Sequence, residues 1–344
     1  MKVFVGLSGG VDSAVSAALL KAAGHEVTGA FIKIWRPEFV ECTWARDRLD
    51  AMRVAAALQI PFREIDLSDE YKRNVIDDMT RSYAGGSTPN PDVLCNSTIK
   101  FGAFAKWALN EGADCVATGH YARIREEEEG SRALLRAADT SKDQSYFLHR
   151  LTQHNLATSV FPIGRYQKSE VRELARSFHL PVASRPDSQG LCFVGDVGIE
   201  DFLGRYLELK SGEVQTMDGT VIGTHRGAAL YTIGQRHGFS ADGSQPHFVT
   251  EIDTKHNILS VSTKRADAER SDASVSDMHW IRGAAFAGEA LAQTRYRETP
   301  VSVQVRNSGN GTHISFTRPH VIARGQSLVL YRGDECLGGG SIDA

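Results

Sequence analysis

Residues 2–7 (KVFVGL) form a short apolar run that predicts a strand, broken by serine and glycine before a second pattern begins. From Val11 onward, Val11, Val15 and Leu19 recur every four residues with alanines between them, a helix that Gly24 closes. A second strand is predicted over 26–35 (EVTGAFIKIW), then a helix over Arg46–Leu58 that Ile60-Pro61 ends. A strand at 62–66 (FREID) and a helix over about 69–83 follow, with a buried strand at 114–121 (DCVATGHY). The stretch Lys168–Phe178 is amphipathic through Val171, Leu174, Ala175 and Phe178. Helices alternating with short apolar strands predict βαβ units and a parallel sheet.

The texture changes near residue 205. Short strands separated by turns run through 212–265 (GEVQTM, TVIGTHRG, HFVTEID, NILSVST), with Asp218-Gly219 as a hairpin signal. The polar stretch 264–277 (KRADAERSDASVSD) reads as a linker, and 278–344 again reads as short strands of a small barrel. The expected plan is one α/β domain over 1–205, a small central β domain over 206–266 and a C-terminal β-barrel-like domain over 267–344. A chain of 344 residues suits two or three domains.

Composition adds little to this plan. Apolar content of 41% and charged content of 24% are ordinary for a globular protein, and no run approaches the ~20 apolar residues of a membrane span. No signal-peptide or transit pattern precedes MKVFVGL, so a cytoplasmic location without a membrane partner is expected. The net charge of −3 leaves a nucleic-acid partner open, because binding follows local patches. One segment is uneven: 131–185 holds nine Lys/Arg (132, 136, 142, 150, 165, 168, 172, 176, 185) against four Asp/Glu (139, 143, 170, 173). The cysteines Cys42, Cys95, Cys115, Cys192 and Cys336 are scattered and odd in number, which excludes a secreted disulfide framework, and no CxxC pair suggests a zinc ribbon.

Three stretches carry candidate chemistry. SGGVDS (8–13) joins a strand to a helix, so free backbone N–H groups and the positive end of the helix dipole face any anion there. Gly9 and Gly10 allow close backbone approach, Ser8 and Ser13 add hydroxyls, and Asp12 could orient a metal ion. The loop has neither the lysine of GxxxxGK[ST] nor a GxGxxG pattern. In TPNPDVLCN (88–96), two prolines stiffen a loop that holds Asn90, Asp92 and Cys95. A carboxylate three residues from a thiol could act as general acid or base or set the thiol's protonation. DSQGLCFVGD (187–196) presents Cys192 in a turn that leaves its sulfur approachable. Cys115, in an apolar strand, reads as core, and Cys42 and Cys336 as inert thiols.

SGGVDS resembles the pyrophosphate-binding loop of the PP-loop ATPases, which cleave ATP between the α- and β-phosphates and adenylate a carbonyl oxygen. Together GLSGGVDS (6–13), TPNPDVLCN (88–96), IKFGAF (99–104), ATGHYA (117–122), KDQSYFL (142–148), GLCFVGD (190–196), YTIGQRHG (231–238), RYR (295–297) and CLGGG (336–340) resemble the tRNA 2-thiouridylase (MnmA/TrmU) family, in order along essentially the whole chain. The departures are NSTIKF after Cys95, Ile32 where Met or Leu is common, and RPDSQG before Cys192. None falls on Asp92, Cys95 or Cys192, though Ile32 belongs to the set the resemblance assigns to ATP.

The resemblance implies an adenine nucleotide α-hydrolase-like PP-loop domain and a sulfurtransferase that replaces the C2 oxygen of the wobble uridine in tRNA by sulfur. By similarity Gly6, Leu7, Ser8, Gly9, Gly10, Val11, Asp12, Ser13, Ile32 and Gly119 hold ATP, with Mg2+ as companion. Asn90, Pro91 and Asp92 meet the target base, and His120, Lys142, Asp143, Gln144, Arg295 and Tyr296 contact tRNA. Cys192 carries a persulfide, Cys95 is its nucleophilic partner and Asp92 assists proton transfer. Either Cys95 attacks the persulfide and releases sulfide, leaving a Cys95–Cys192 disulfide, or the Cys192 persulfide attacks the base directly. An iron–sulfur cluster on Asp92, Cys95 and Cys192 ranks below both, since two thiols and one carboxylate are a thin ligand set. The family also implies a sulfur-donor protein, a cysteine desulfurase or a relay protein. The rival readings are a PP-loop ligase adenylating a small metabolite and a nucleotide sensor without turnover.

Overall fold

The computed structural model describes residues 1–39, 44–127, 130–186, 198–243, 245–309 and 311–343. Its first layer is a parallel sheet of β1 (Lys2–Gly6), β2 (Glu26–Lys33), β3 (Phe62–Asp66), β4 (Cys115–Ala117) and, after a hairpin described below, the strand Ser159–Val160. The order is β3-β2-β1-β4 followed by that last strand. Val3 pairs with Val27 on one side and Cys115 on the other, and Val3 and Val5 are fully buried. Strands covered on both faces need continuous apolar runs, which KVFVG supplies.

Helix α1 (Val11–Ala22) follows β1 directly, and its small buried residues Ala14, Ala17 and Ala18 let it pack closely between the sheet and the helix Lys168–Ser177. Because β1 has β2 on one side and β4 on the other, the chain changes direction there. In open parallel sheets such a switch point, outside the carboxyl ends of the strands, is where ligands bind. The loops 7–10 and 118–121 both open onto it. The strand expected over 114–121 is correspondingly short: Thr118 to Tyr121 leave the sheet and line this crevice.

After β4 the chain forms a hairpin, β5 (Ala122–Glu126) with β6 (Arg132–Arg136). The outer edge of β6 pairs with the strand Glu335–Ser341, Leu135 opposite Glu335 and Leu134 opposite Cys336. The C-terminal sheet therefore runs on into the N-terminal part of the chain. The central sheet spans Gly212–Thr216, Val221–His225, Ser240–Ala241, Phe248–Asp253 and Ile258–Ser262.

The expected linker over 264–277 is corrected by the structure. Glu269–Val275 is a strand that pairs with Gly311–Val321, placing Ala273 opposite Ile314 and Val275 opposite Thr312. Its outward positions are polar, and only Ala273 and Val275 turn into the core, so alternation was masked by a largely hydrophilic composition.

The helix expected over 69–83 is present over 68–84, but its middle, Lys72–Ile76, is π-helical. A second π-helical stretch, Cys95–Phe104, joins the short helix Pro91–Leu94 to Ala105–Asn110. Such stretches recur at functional sites.

Candidate active site

The loop after β1 is tied by its own hydroxyls. Ser8 N donates to Ser13 Oγ at 3.2 Å, Gly10 N donates to Ser8 Oγ at 3.3 Å, and Ser13 Oγ donates to Gly10 O at 3.2 Å. Gly10 is the N-cap of α1 with no side chain capping it, so the first-turn amides keep their donors for a ligand. Gly9 has φ +77°, and a Cβ there would collide with the Asp47 carbonyl, so only glycine fits. Leu7 and Val11 are buried anchors of the loop. Ile32 lies beside Gly6, its Cδ1 3.8 Å from where a Gly6 Cβ would be. Gly119 closes the other side: a Cβ on it would sit 2.6 Å from Ser13 N. Gly6 to Ser13, Ile32 and Gly119 thus come together at the switch point.

Asp12 has a partner the sequence did not suggest. Its carboxylate accepts from Lys168 Nζ at 2.7 and 2.9 Å and from Tyr121 Oη at 2.8 Å. The position open to a metal ion in the sequence reading is taken by an ammonium. Asp139 holds Lys168 in place by accepting from its backbone N at 2.9 Å. Arg185 also reaches the loop, donating to Gly9 O at 2.9 Å while paired with Asp47 and with Asp50 at 2.8 Å.

The strip TPNPD is held at Thr88 by loops from the central and C-terminal parts of the chain. Thr88 N donates to Arg324 O at 2.9 Å, Gln326 Nε2 donates to Thr88 O at 2.9 Å, and Thr88 Oγ1 lies 3.0 Å from Thr232 Oγ1. Asn90 is extended and caps the helix that Pro91 opens. The expectation of a stiffened loop at Cys95 is corrected here: Pro91 starts a helix, and Cys95, 6% exposed, opens its π-helical continuation. Asp92 is half-buried and accepts no hydrogen bond from the described residues. Burial pushes its carboxyl above the ordinary range, and the Lys100 charge partly opposes that shift.

His120 is buried, with Nδ1 2.7 Å from Thr118 Oγ1 and Nε2 3.5 Å from Lys100 Nζ. Desolvation first, and the Lys100 ammonium second, push its pKa well below the usual value, so the ring is neutral. Phe101 and Phe161 flank it.

Asp143 is also turned inward. Its carboxylate accepts from Ala137 N, Ser145 N and Ser145 Oγ at 2.9–3.1 Å, and burial raises its pKa. Gln144 pairs reciprocally with the Tyr121 backbone at 2.8 and 3.0 Å, and Lys142 is half-buried beside it. Arg295 donates to Ile233 O at 2.7 Å. The Tyr296 ring lies 4.3 Å from Phe147, whose carbonyl accepts from Asn96 Nδ2 at 3.3 Å. The loops 142–148 and 294–297 therefore converge on the helix that carries Cys95.

Much of the basic excess over 131–185 is spent internally. Arg132 donates to Leu156 O and Ala157 O, Arg136 stacks 3.7 Å over Tyr331, Arg150 pairs with Asp277, and Lys168 and Arg185 serve the loop. Cys115 and Cys336 are buried, with burial raising both thiols, as core cysteines should be. Cys42 and Cys192 lie outside the described residues. The sequence reading gave no role to Lys100 or Tyr121, whose contacts depend on tertiary packing, nor to Lys168, Arg185 and Gln326, which are remote in sequence from the loops they serve.

Comparison with known proteins covers nearly the whole chain. Residues 1–196 match the family described as a tRNA methyl transferase HUP domain. Residues 200–263 match a tRNA methyl transferase PRC-barrel domain, and 270–342 an aminomethyltransferase beta-barrel domain. The tRNA-specific 2-thiouridylase MnmA of Janthinobacterium sp. (strain Marseille) is 42% identical, over 99% of this chain and 97% of its own length. That of Nitrosomonas europaea is 44% identical, over 99% and 98%. Among solved structures, the U34-tRNA thiolase NcsA from Methanococcus maripaludis aligns at TM-score 0.38 and 17% identity, covering 60% of this chain and 64% of its own. A 4-thiouridine synthetase–RNA complex aligns at 0.35 and 17%, covering 60% and 50%. The identity, its span and the order of the matched domains leave one assignment: the chain belongs to the MnmA family of tRNA-specific 2-thiouridylases.

Proposed function

We propose that the protein is a tRNA-uridine 2-sulfurtransferase that adenylates the C2 oxygen of the wobble uridine and replaces it with sulfur, releasing AMP and pyrophosphate. The observation that supports this most strongly is spatial. The nucleotide-type loop (Gly6–Ser13, Gly119) and the helix bearing Asp92 and Cys95 meet at one place, joined through His120 and Lys100.

The residues of the loop fit a nucleotide phosphate: uncapped amides at the start of α1 and a Gly9 site that no Cβ could enter. They fit a protein-held metal less well, since Asp12 is already paired. Magnesium, when bound with ATP, would neutralise phosphate charge. Lys168 and Arg185 set the shape of the loop, and Ile32 offers an apolar flank.

A carbonyl oxygen is a poor leaving group, and adenylation makes it a good one. The base O2 bonds to the α-phosphorus as the bond to pyrophosphate breaks, and the base gives up its N3 proton to the Asp92 carboxylate. Sulfur then adds to C2 and the C2–O bond breaks, releasing AMP. Either the Cys192 persulfide attacks C2, and Cys95 thiolate then attacks Cys192 Sγ so that the outer sulfur leaves with the base as the thiocarbonyl, or Cys95 thiolate first attacks Cys192 Sγ of the persulfide and frees the outer sulfur as sulfide, which attacks C2. Both routes end in a Cys95–Cys192 disulfide that an external thiol must reduce. An iron–sulfur cluster remains the less favoured arrangement.

Extracting the uridine from the anticodon stack costs a few kcal/mol. Asn90 to Asp92 follow Thr88, which Thr232, Arg324 and Gln326 pin, and supply a face to receive it. Lys142, Gln144, Arg295 and Tyr296 are the tRNA-contacting set, with phosphate pairing by the cations and stacking by the tyrosine. Asp143 positions that set from within, and His120 does the same for Lys100. The catalytic work falls to 1–205, while 206–266 and 267–344 hold the recognition strip. A cysteine desulfurase or relay protein would load Cys192. Incubation with unmodified tRNA, ATP and a persulfide donor tests the reading: 2-thiouridine and AMP should form together, and AMP without 2-thiouridine would contradict it.

A further inference from the structure

Lys100 is a half-buried lysine with no carboxylate within ion-pair distance among the described residues. Among the described residues its ammonium meets one neutral partner, His120 Nε2 at 3.5 Å. That imidazole is 7% exposed and locked through Nδ1 to Thr118, so it can accept from the ammonium without balancing its charge. Asp92 acts on Lys100 through space and not by contact. Among the described residues no carboxylate contacts this half-buried ammonium, and partial withdrawal of a cation from water without a contacting counter-ion is costly. Its place is that of a group waiting for an anion.

The surroundings say which anion. On one side, His120 follows Gly119, which packs against the first turn of α1 at the nucleotide loop. On the other, Lys100 shares one helical run with Asp92 and Cys95. π-Helical hydrogen bonds span five residues, which places Lys100 about one turn beyond Cys95. An anion between these two sides belongs to both the nucleotide and the base, and the α-phosphate is the group that passes from one to the other.

Resting on the thiouridylase reading above, we propose that Lys100 is a further catalytic residue, whose ammonium binds a non-bridging oxygen of the α-phosphate during adenylation and stays on the AMP phosphate until sulfur displaces it. In the first step the base O2–phosphorus bond forms as the phosphorus–oxygen bond to pyrophosphate breaks, and negative charge grows on the oxygens that Lys100 faces. In the second step the C2–O bond breaks and AMP leaves with charge that the same ammonium balances. No proton leaves Lys100 in either step.

The test compares wild type with Lys100→Met and Lys100→Arg at saturating ATP, tRNA and persulfide donor, reading AMP and 2-thiouridine formation, with tRNA affinity measured separately without ATP. Lys100→Met should lower kcat for AMP formation by about 10²–10³-fold, the loss expected for one preorganised donor. Its tRNA Kd should stay within about threefold of wild type, and Lys100→Arg should recover part of the rate. Should Lys100→Met fail to fold, Lys100→Gln against Lys100→Arg makes the same comparison. An active wild type with an equally active Lys100→Met, or a loss confined to tRNA Kd, overturns the proposal alone. A wild type that forms no 2-thiouridine overturns the thiouridylase reading and this proposal with it.

Discussion

Asp92 shows how one side chain's setting becomes a rate. Burial raises its carboxyl and Lys100 only partly compensates, so the ionised form is lost at a higher pH than for an exposed aspartate. If ionised Asp92 takes the N3 proton, kcat/KM for thiolation falls on acidification through an apparent pKa above the usual ~4. Asp92→Asn should remove that acid limb and cost about 10²–10⁴-fold in rate. A pH–rate profile with its acid limb in the ordinary carboxylate range would contradict this role. Gly9 makes a different demand. With φ +77° and the Asp47 carbonyl against its open side, Gly9→Ala must shift the loop. The expected cost is about 1–3 kcal/mol of stability with a marked loss of ATP affinity, measurable by thermal unfolding with and without ATP.

Residue identity at the site was readable where the chemistry is local and hidden where it is not. SGGVDS announced an anion loop because amides, glycines and hydroxyls are contiguous. The partner of Asp12 is Lys168, 156 residues away, and nothing in the loop's spacing points to it. Asp143 and His120 were legible as polar residues in the right motifs, but their inward orientation comes from tertiary packing.

At the scale of elements, periodicity carried the α/β part well, because strands buried on both faces and small-residue helices leave strong patterns. It failed at 264–277, where a strand needs only two inward apolar residues and the rest is solvent-facing. Val275, 1% exposed, sits on that strand. Val275→Asp should therefore destabilise the protein by about 3 kcal/mol, the cost of burying a carboxylate without a partner. Urea unfolding would register the change, whereas a linker position would tolerate it within about 0.5 kcal/mol. The π-helical stretches are equally silent in sequence, since their widened turns depend on what packs around them. Pro91 misled for a related reason: it reads as a loop stiffener, but at the first position of a helix its fixed φ and missing N–H are both suitable.

Across the whole molecule, the three sheets are interlocked around the recognition strip. β6 extends the C-terminal sheet, Thr232 reaches Thr88 from the central part, and Arg324 and Gln326 reach it from the C-terminal part. None of these contacts is visible in the composition shift near 205. The β regions contact the candidate site through Thr88. Within the basic segment 131–185, Arg132, Arg136 and Arg185 are engaged with the fold itself.

We propose that a cysteine-borne sulfur replaces an oxygen activated at the nucleotide loop. This proposal is tested most directly by reacting wild type and Cys192→Ser with unmodified tRNA, ATP and a persulfide donor, and quantifying 2-thiouridine in the digested tRNA. Wild type should form 2-thiouridine in step with AMP, and Cys192→Ser should form none. Thiolation that persists in Cys192→Ser would contradict the account.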